Sequence, residues 1–287
     1  MKLPRFEYAA PSTMSEAVAL LAAGGGDAKP LAGGQSLVPM LAFRLAAPSL
    51  LVDLRKIPDL NRITVTPEGV RLGAMVRWRD ITDDARLATA HPLLKAAVEH
   101  VAHYQVRNRG TVGGSLAHAD PAAEMPGLAL TCDAEIAVTG SAGSRTIRAS
   151  DFFLGALTTA LAPDEIIVEV RLPPWPRARH WGFQEFARRR GDFAIAGAAL
   201  FYDVESGKAA NAHVGVIGVG DRPLRLRDVE AVLNGCAIDN ATIAGAEKTA
   251  SASVDAQEDI HASGAYRRAL TGTMVERALR DASTGAS

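Results

Sequence analysis

The chain has 287 residues, 48% of them hydrophobic, and a formal net charge of −1. That length supports a large core in one to three domains, and a near-neutral balance without a polybasic run argues against nucleic acid or a membrane surface as partner. Aromatic residues at 5% leave few platforms for stacking bases, and the two cysteines, Cys132 and Cys236, exclude an iron–sulfur cluster ligated by four cysteines of this chain. The start, Met1 to Arg5, lacks the apolar run of a secretory signal, and no window approaches about eighteen consecutive apolar residues. A cytoplasmic protein without a membrane span is expected.

In chain order, Phe6-Glu7-Tyr8 alternates as a short strand. Thr13 to Glu16 reads as a capping box opening a helix whose apolar face is Ala17, Val18, Leu20 and Leu21, closed by Gly24-Gly25-Gly26. Lys29 to Leu31 is a short strand. A helix over Leu37–Leu45 follows, with Pro39 in its first turn, and then a strand at Leu50 to Leu54. Residues 1–57 thus form one compact unit.

Residues 58–176 form a second unit. Ile63–Val65 and Gly69–Leu72 pair as a hairpin, Ile81-Thr82-Asp83-Asp84 opens a helix, and Pro92–His103 forms another. Ala134–Thr139 and Ile166–Leu172 are strands, with a helix near Ala149–Leu154 between them. Pro173-Pro174-Trp175-Pro176 marks a domain boundary, because proline stiffens the chain and removes donors. In 177–287, strands near Trp181–Phe186, Ile195–Asp203 and Ala212–Gly220 precede helices near Asp228–Leu233, Asn240–Ser251 and Tyr266–Leu279. The fold class expected is α+β: a larger region, 1–176, in two lobes (1–57 and 58–176), then a smaller α+β domain with helices on one side of a sheet.

Two glycine pairs carry the chemistry. Ala32-Gly33-Gly34-Gln35-Ser36-Leu37 follows Lys29, and Thr111-Val112-Gly113-Gly114-Ser115 follows Arg107 and Arg109 and precedes Asp120 and Glu124. Glycine lets backbone N–H groups approach a phosphate and tolerates the turns this needs, and Ser and Thr add small hydroxyl donors. One such loop reads better as a plain turn. Two matched loops suit a diphosphate. Asp120 and Glu124 would repel phosphate, so they fit neutral donors of the same ligand, such as sugar hydroxyls or a ring N–H; dipole stabilisation at a helix start is the other reading for Glu124.

Other chemistry finds little support. His100 and His103 lack companions for a metal set, and no HExxH pattern is present. His118 either meets a ligand or packs within its loop. Ser36 and Ser115 do not lie in GxSxG, no Walker pattern occurs, and the glycines of Gly215 to Gly220 are followed by Pro223 where a dinucleotide-binding helix would run.

The two glycine motifs together, with Pro39 and Met40 after the first and Asp120-Pro121 and Glu124 after the second, resemble the FAD-binding medium subunits of the carbon monoxide dehydrogenase and xanthine dehydrogenase family, the molybdenum hydroxylases. Arg190 to Ile195 and Tyr266-Arg267-Arg268 resemble further landmarks of that family.

The resemblance implies a two-lobed FAD-binding domain of the vanillyl-alcohol-oxidase type, non-covalent FAD, and a C-terminal flavoprotein domain. It implies an electron-transfer subunit in a dimer of heterotrimers, with a small subunit carrying [2Fe–2S] clusters and a large molybdopterin subunit that oxidises substrate. Ala32 to Ser36, with Leu37, and Thr111 to Ser115, including Val112, are implied at the FAD diphosphate. Lys29 would neutralise part of its charge, and Asp120 and Glu124 would bond the sugar or flavin portions. Ile167 would pack near the cofactor and Phe193 beside the flavin ring. Many relatives carry a Lys near Gln184 or Glu185, and this chain has none there. A stand-alone flavin-dependent oxidase or dehydrogenase of the same fold and a non-enzymatic nucleotide-binding protein are the alternatives.

Overall fold

The computed structural model describes residues 2–284, so the expected C-terminal domain is described up to residue 284. The first lobe comprises β1 (Glu7–Ala9), α1 (Met14–Ala23), β2 (Ala28–Leu31), α2 (Leu37–Ala42) and β3 (Leu50–Asp53). Its strands form a parallel sheet in the order β1-β3-β2. The Thr13 hydroxyl accepts from the Glu16 N–H as the sequence suggests. The returning bond shifts by one residue: Glu16 accepts from the Ser12 N–H, not from that of Thr13. Ala17, Val18 and Leu21 of α1 pack over Val52 and Leu54, a burial worth about 1.5–3 kcal/mol for each large side chain.

The second lobe is built on β4 (Ile63–Thr66), β5 (Gly69–Gly73), β6 (Glu135–Gly140), β7 (Gly143–Arg148), a small hairpin of β8 (Phe153–Gly155) and β9 (Thr158–Thr159), and β10 (Ile166–Leu172). Its antiparallel sheet runs β4-β5-β10-β6-β7, so the hairpin β4-β5 is completed by a strand from the far end of the lobe. Between β5 and β6 lie α3 (Trp78–Asp83), α4 (Leu87–Ala90), α5 (Pro92–His100), α6 (Tyr104–Arg107), α7 (Val112–His118) and α8 (Glu124–Thr131). The one-turn α9 (Ala149–Phe152) follows β7. Alternate residues Ile136 and Val138 of β6 are buried against Leu93, Leu94 and Leu128. The helix expected to open at Ile81 instead begins at Trp78 and ends at Asp83. Asp80 accepts from the Arg77 N–H at the start, and Asp84 is the C-terminal cap. The four-residue α6 stands between α5 and the second glycine motif, which does not follow α5 directly.

The C-terminal domain has an antiparallel sheet in the order β11 (His180–Phe186), β12 (Ala196–Glu205), β13 (Lys208–Ile217), β14 (Leu224–Arg225), with α10 (Arg227–Leu233), α11 (Asn240–Ala252) and α12 (Gly264–Thr284). These helices cover one face, as expected. On the other face, α8 of the second lobe presses Gly127 against Ile217. Being covered on both sides explains why β12 is buried continuously from Ala196 to Tyr202 and does not alternate. Phe183 and Phe201 belong to the same apolar cluster as the second lobe's core, so the two-domain arrangement shares a packed junction.

Candidate functional site

The first glycine motif links β2 to α2. Gly34 has φ 73°, the left-handed region that a Cβ disfavours. This turn leaves the N–H groups of Gly33, Gly34, Gln35 and Ser36 without a protein acceptor among the described residues. The one internal tie is the Gln35 side-chain amide, which donates to the Gly33 carbonyl at 3.3 Å. Ser36 is half-buried at the cap of α2, and Leu37 opens that helix, which stops at Ala42, short of Leu45.

The second motif is ordered differently. Thr111 caps α7, and Val112 to Ser115 form its first turn despite two glycines of low helix propensity. Tertiary packing decides this, because a Cβ on Gly113 would lie 2.6 Å from the Ala74 Cβ. Unlike the first motif, its backbone donors are engaged. Val112 donates to the Val76 carbonyl at 2.9 Å and Gly113 to the Ala74 carbonyl at 2.8 Å. Gly114 donates to the Thr111 hydroxyl at 3.1 Å, and Ser115 to the Thr111 carbonyl at 3.0 Å. The second motif therefore presents a small-residue surface and the half-buried Ser115 hydroxyl where the sequence suggested a nest of N–H groups; Thr111 is buried, and its hydroxyl serves the helix cap.

The fold brings the motifs into contact. A Cβ on Gly33 would stand 2.1 Å from the Arg109 carbonyl oxygen, and one on Gly114 would stand 3.6 Å from the Ala32 Cβ. Beside this junction lies a cavity of about 370 Å³ walled by Ala32 to Gln35, Val38, Pro39, Arg55 and Arg109. Lys29 is exposed on β2 and is not in that wall. The cations there are Arg55 and Arg109, neither assigned a role from sequence. Arg109 is flagged only by its place beside the second motif, and Arg55 by no local pattern.

A second cleft, of about 540 Å³, lies between the turn Asp120–Ala122 and the C-terminal domain. The Gly218 N–H donates to the Pro121 carbonyl at 2.9 Å and joins the two sides. Asp120 accepts from the Ala122 N–H at 2.9 Å, and Phe193, 68% exposed, lies in the wall with Arg188 and Arg267. Glu124 stands in the first turn of α8, where burial, reinforced by the charge of Asp120, pushes its carboxyl up to about 7. Glu185 is pushed up to about 8 by burial and by the charge of Glu124, and its Oε2 is buried without a partner. Ile167 is buried in the core of the second lobe, beside a bulge that lets the Val168 carbonyl accept from the Ala74 N–H at 2.9 Å. Among the described residues no cluster of His, Cys, Asp and Glu could hold a metal ion, and no helix is long and apolar enough to cross a membrane.

A parallel α/β lobe with unengaged N–H donors meets an antiparallel lobe at the two glycine motifs, and an α+β domain follows; the arrangement is that of a two-lobed protein with a surface suited to a diphosphate. Residues 4–175 match the model for the FAD binding domain in molybdopterin dehydrogenase, and residues 181–282 match that for the CO dehydrogenase flavoprotein C-terminal domain. The chain is 40% identical to the 6-hydroxypseudooxynicotine dehydrogenase complex subunit alpha of Paenarthrobacter nicotinovorans, over 98% of this chain and 96% of that one. It is 37% identical to the carbon monoxide dehydrogenase medium chain of Hydrogenophaga pseudoflava, over 97% of each. Among solved structures, the carbon monoxide dehydrogenase of H. pseudoflava superposes with a TM-score of 0.96 at 38% identity, covering 99% of both chains. Quinoline 2-oxidoreductase from Pseudomonas putida 86 superposes with a TM-score of 0.95 at 40% identity, covering 100% of this chain and 99% of the other. The chain belongs to the FAD-binding medium subunits of the molybdenum hydroxylases. It is an oxidoreductase subunit, and its cofactor is FAD.

Proposed function

We propose that this chain is the electron-transfer subunit of a multi-subunit molybdenum hydroxylase, receiving electrons from the [2Fe–2S] clusters of a small partner subunit and delivering them to an external acceptor. The observation that carries this reading is the meeting of the two glycine motifs at a cavity lined by unengaged N–H donors, in a chain whose relatives are named as medium chains or complex subunits. The redox chemistry is supplied by FAD, which exchanges electrons singly and as pairs. The chain's part is to bind, orient and shield.

The N–H groups of Gly33 to Ser36 are free to donate to phosphate oxygens, and Leu37 begins the helix that follows them. Ser115 adds a hydroxyl and Thr111 caps its helix, while Val112, Gly113 and Gly114 hold the second motif against Ala74 and Ala32. Asp120 and Glu124 face the sugar and flavin portions. Burial raises the Glu124 carboxyl to about 7, so near that pH a substantial share of it is neutral, and the neutral carboxyl can both donate and accept. Phe193 is assigned to the rim beside the flavin ring, and Ile167 supports the sheet beneath the site. Lys29, outside the cavity wall, acts at longer range. No covalent anchor is proposed. The partners are a small [2Fe–2S] subunit and a large molybdopterin subunit, assembled as a dimer of heterotrimers in the cytoplasm.

The test uses the complex co-purified with its partner subunits, reduced by limiting dithionite, with cluster signals and flavin absorbance followed together. The expected result is that removing FAD leaves the clusters reducible and abolishes electron delivery to an acceptor dye. Undiminished delivery from the FAD-free complex would refute the assignment.

A further inference from the structure

The cavity beside the first motif contains a cation whose support lies outside both motifs. Arg55 stands two residues beyond the buried Asp53, in the 3-10 turn Leu54–Lys56. Asp53 Oδ1 accepts from the Arg55 backbone N–H at 2.9 Å, and Arg55 Nε lies 3.1 and 2.8 Å from Asp53 Oδ1 and Oδ2. Arg55 Nη2 is 2.6 Å from Asp53 Oδ2 and donates to the Tyr8 hydroxyl at 3.2 Å. Tyr8 in turn donates to Asp53 Oδ2 at 2.6 Å. Asp53 is 1% exposed, whereas the Arg55 side chain is 57% exposed. A buried carboxylate thus fixes one edge of a guanidinium whose other end reaches solvent. Nη1 has no protein acceptor among the described residues, and Arg55 lines the same cavity as the unengaged N–H groups of Gly33, Gly34 and Gln35.

The exposure of the Arg55 end limits what this ion pair contributes to stability. A guanidinium held at Nε and Nη2 gains elsewhere: its remaining donors are oriented before a ligand arrives, so less side-chain freedom is lost on binding. Asp53 cancels the net charge of Arg55, so the gain is directional. Arg109, exposed on the same wall, brings charge that no ion pair among the described residues compensates.

We propose that Tyr8, Asp53 and Arg55 form a preorganised anchor for the diphosphate of FAD, with Arg55 Nη1 as the donor and Tyr8 and Asp53 as positioning residues. The proposal rests on the assignment of this cavity to the cofactor's diphosphate. It adds an anchor from β1 and the end of β3, which belong to neither glycine motif.

The experiment titrates the full chain, stripped of flavin, with FAD and with ADP, which shares the diphosphate and lacks the flavin. Arg55→Lys keeps the charge and loses the fork. The double variant Asp53→Asn/Arg55→Met removes the anchor without leaving a buried charge unpaired. Each is expected to weaken FAD and ADP alike, by about tenfold or more. Tyr8→Phe is expected to cost less. Circular dichroism and thermal unfolding of the flavin-free proteins establish that the variants fold. Unchanged affinity in both Arg55 variants overturns the proposal, as does a loss confined to FAD with ADP unaffected. If the unaltered chain takes up neither ligand, the cavity's assignment to the cofactor fails first, and the anchor with it.

Discussion

Gly33 lies against the main-chain carbonyl of Arg109 so closely that a Cβ at residue 33 would stand 2.1 Å from its oxygen. This contact holds the two glycine motifs as one surface. Gly33→Ala is expected to force them apart at a cost of about 1–3 kcal/mol, the range for overpacking. It should lower FAD affinity by about tenfold or more. Fluorescence titration and the unfolding temperature of the flavin-free chain measure both, and unaltered affinity would show that the contact does not shape the site.

Gly34 combines a left-handed φ of 73° with a place among unengaged N–H donors. Gly34→Ala is expected to strain the turn and weaken FAD binding. Gly34→Asp adds a carboxylate beside the diphosphate and should leave the purified chain colourless. Flavin absorbance per chain reads the difference, and equal retention by the two variants would place the diphosphate elsewhere.

Glu185 carries a pH dependence of stability. Burial and the charge of Glu124 raise its carboxyl from 4.5 to about 8. Between those values the folded chain holds a proton that the unfolded chain has released, so this group's contribution to stability falls as pH rises. Glu185→Gln cannot ionise. Its unfolding temperature should exceed that of the unaltered, flavin-free chain by a margin that grows across this window to a few degrees at its upper end. A difference independent of pH would contradict the burial of that carboxyl.

Arg267, 6% exposed, donates to the carbonyls of Ile195 and Gly218 and pairs with Asp259 at 2.7 Å, binding three segments of the larger cleft. Arg267→Met leaves two carbonyls without their donor and is expected to destabilise the chain by at least about 1–3 kcal/mol. A shift of the urea midpoint checks this, and a midpoint unchanged from the unaltered chain would remove the clamp from the account.

The parts that were legible in sequence owe that to local chemistry. Thr13 announces α1 because its hydroxyl meets an N–H three residues on. The motif at 32–37 carries its unengaged donors in contiguous residues. Three features escaped because their causes are distant in sequence. The helical state of Val112 to Ser115 depends on Ala74 and Val76 accepting from the motif's N–H groups. The start of α3 depends on the Arg77–Asp80 pair, not on the later acids Asp83 and Asp84. Arg55 has meaning only through the buried Asp53 and through Tyr8 on another strand. The cover that α8 gives the C-terminal sheet is likewise invisible to a periodicity read one strand at a time.

The most direct measurement is the visible spectrum of the purified full chain, supplied with FAD after folding and then precipitated with acid. The account requires a flavin spectrum close to one FAD per chain, with the yellow colour passing into the supernatant and FAD identified there by chromatography. A chain that folds yet takes up no FAD, or a flavin that stays in the pellet, would contradict the central claim that the two glycine motifs together hold FAD non-covalently.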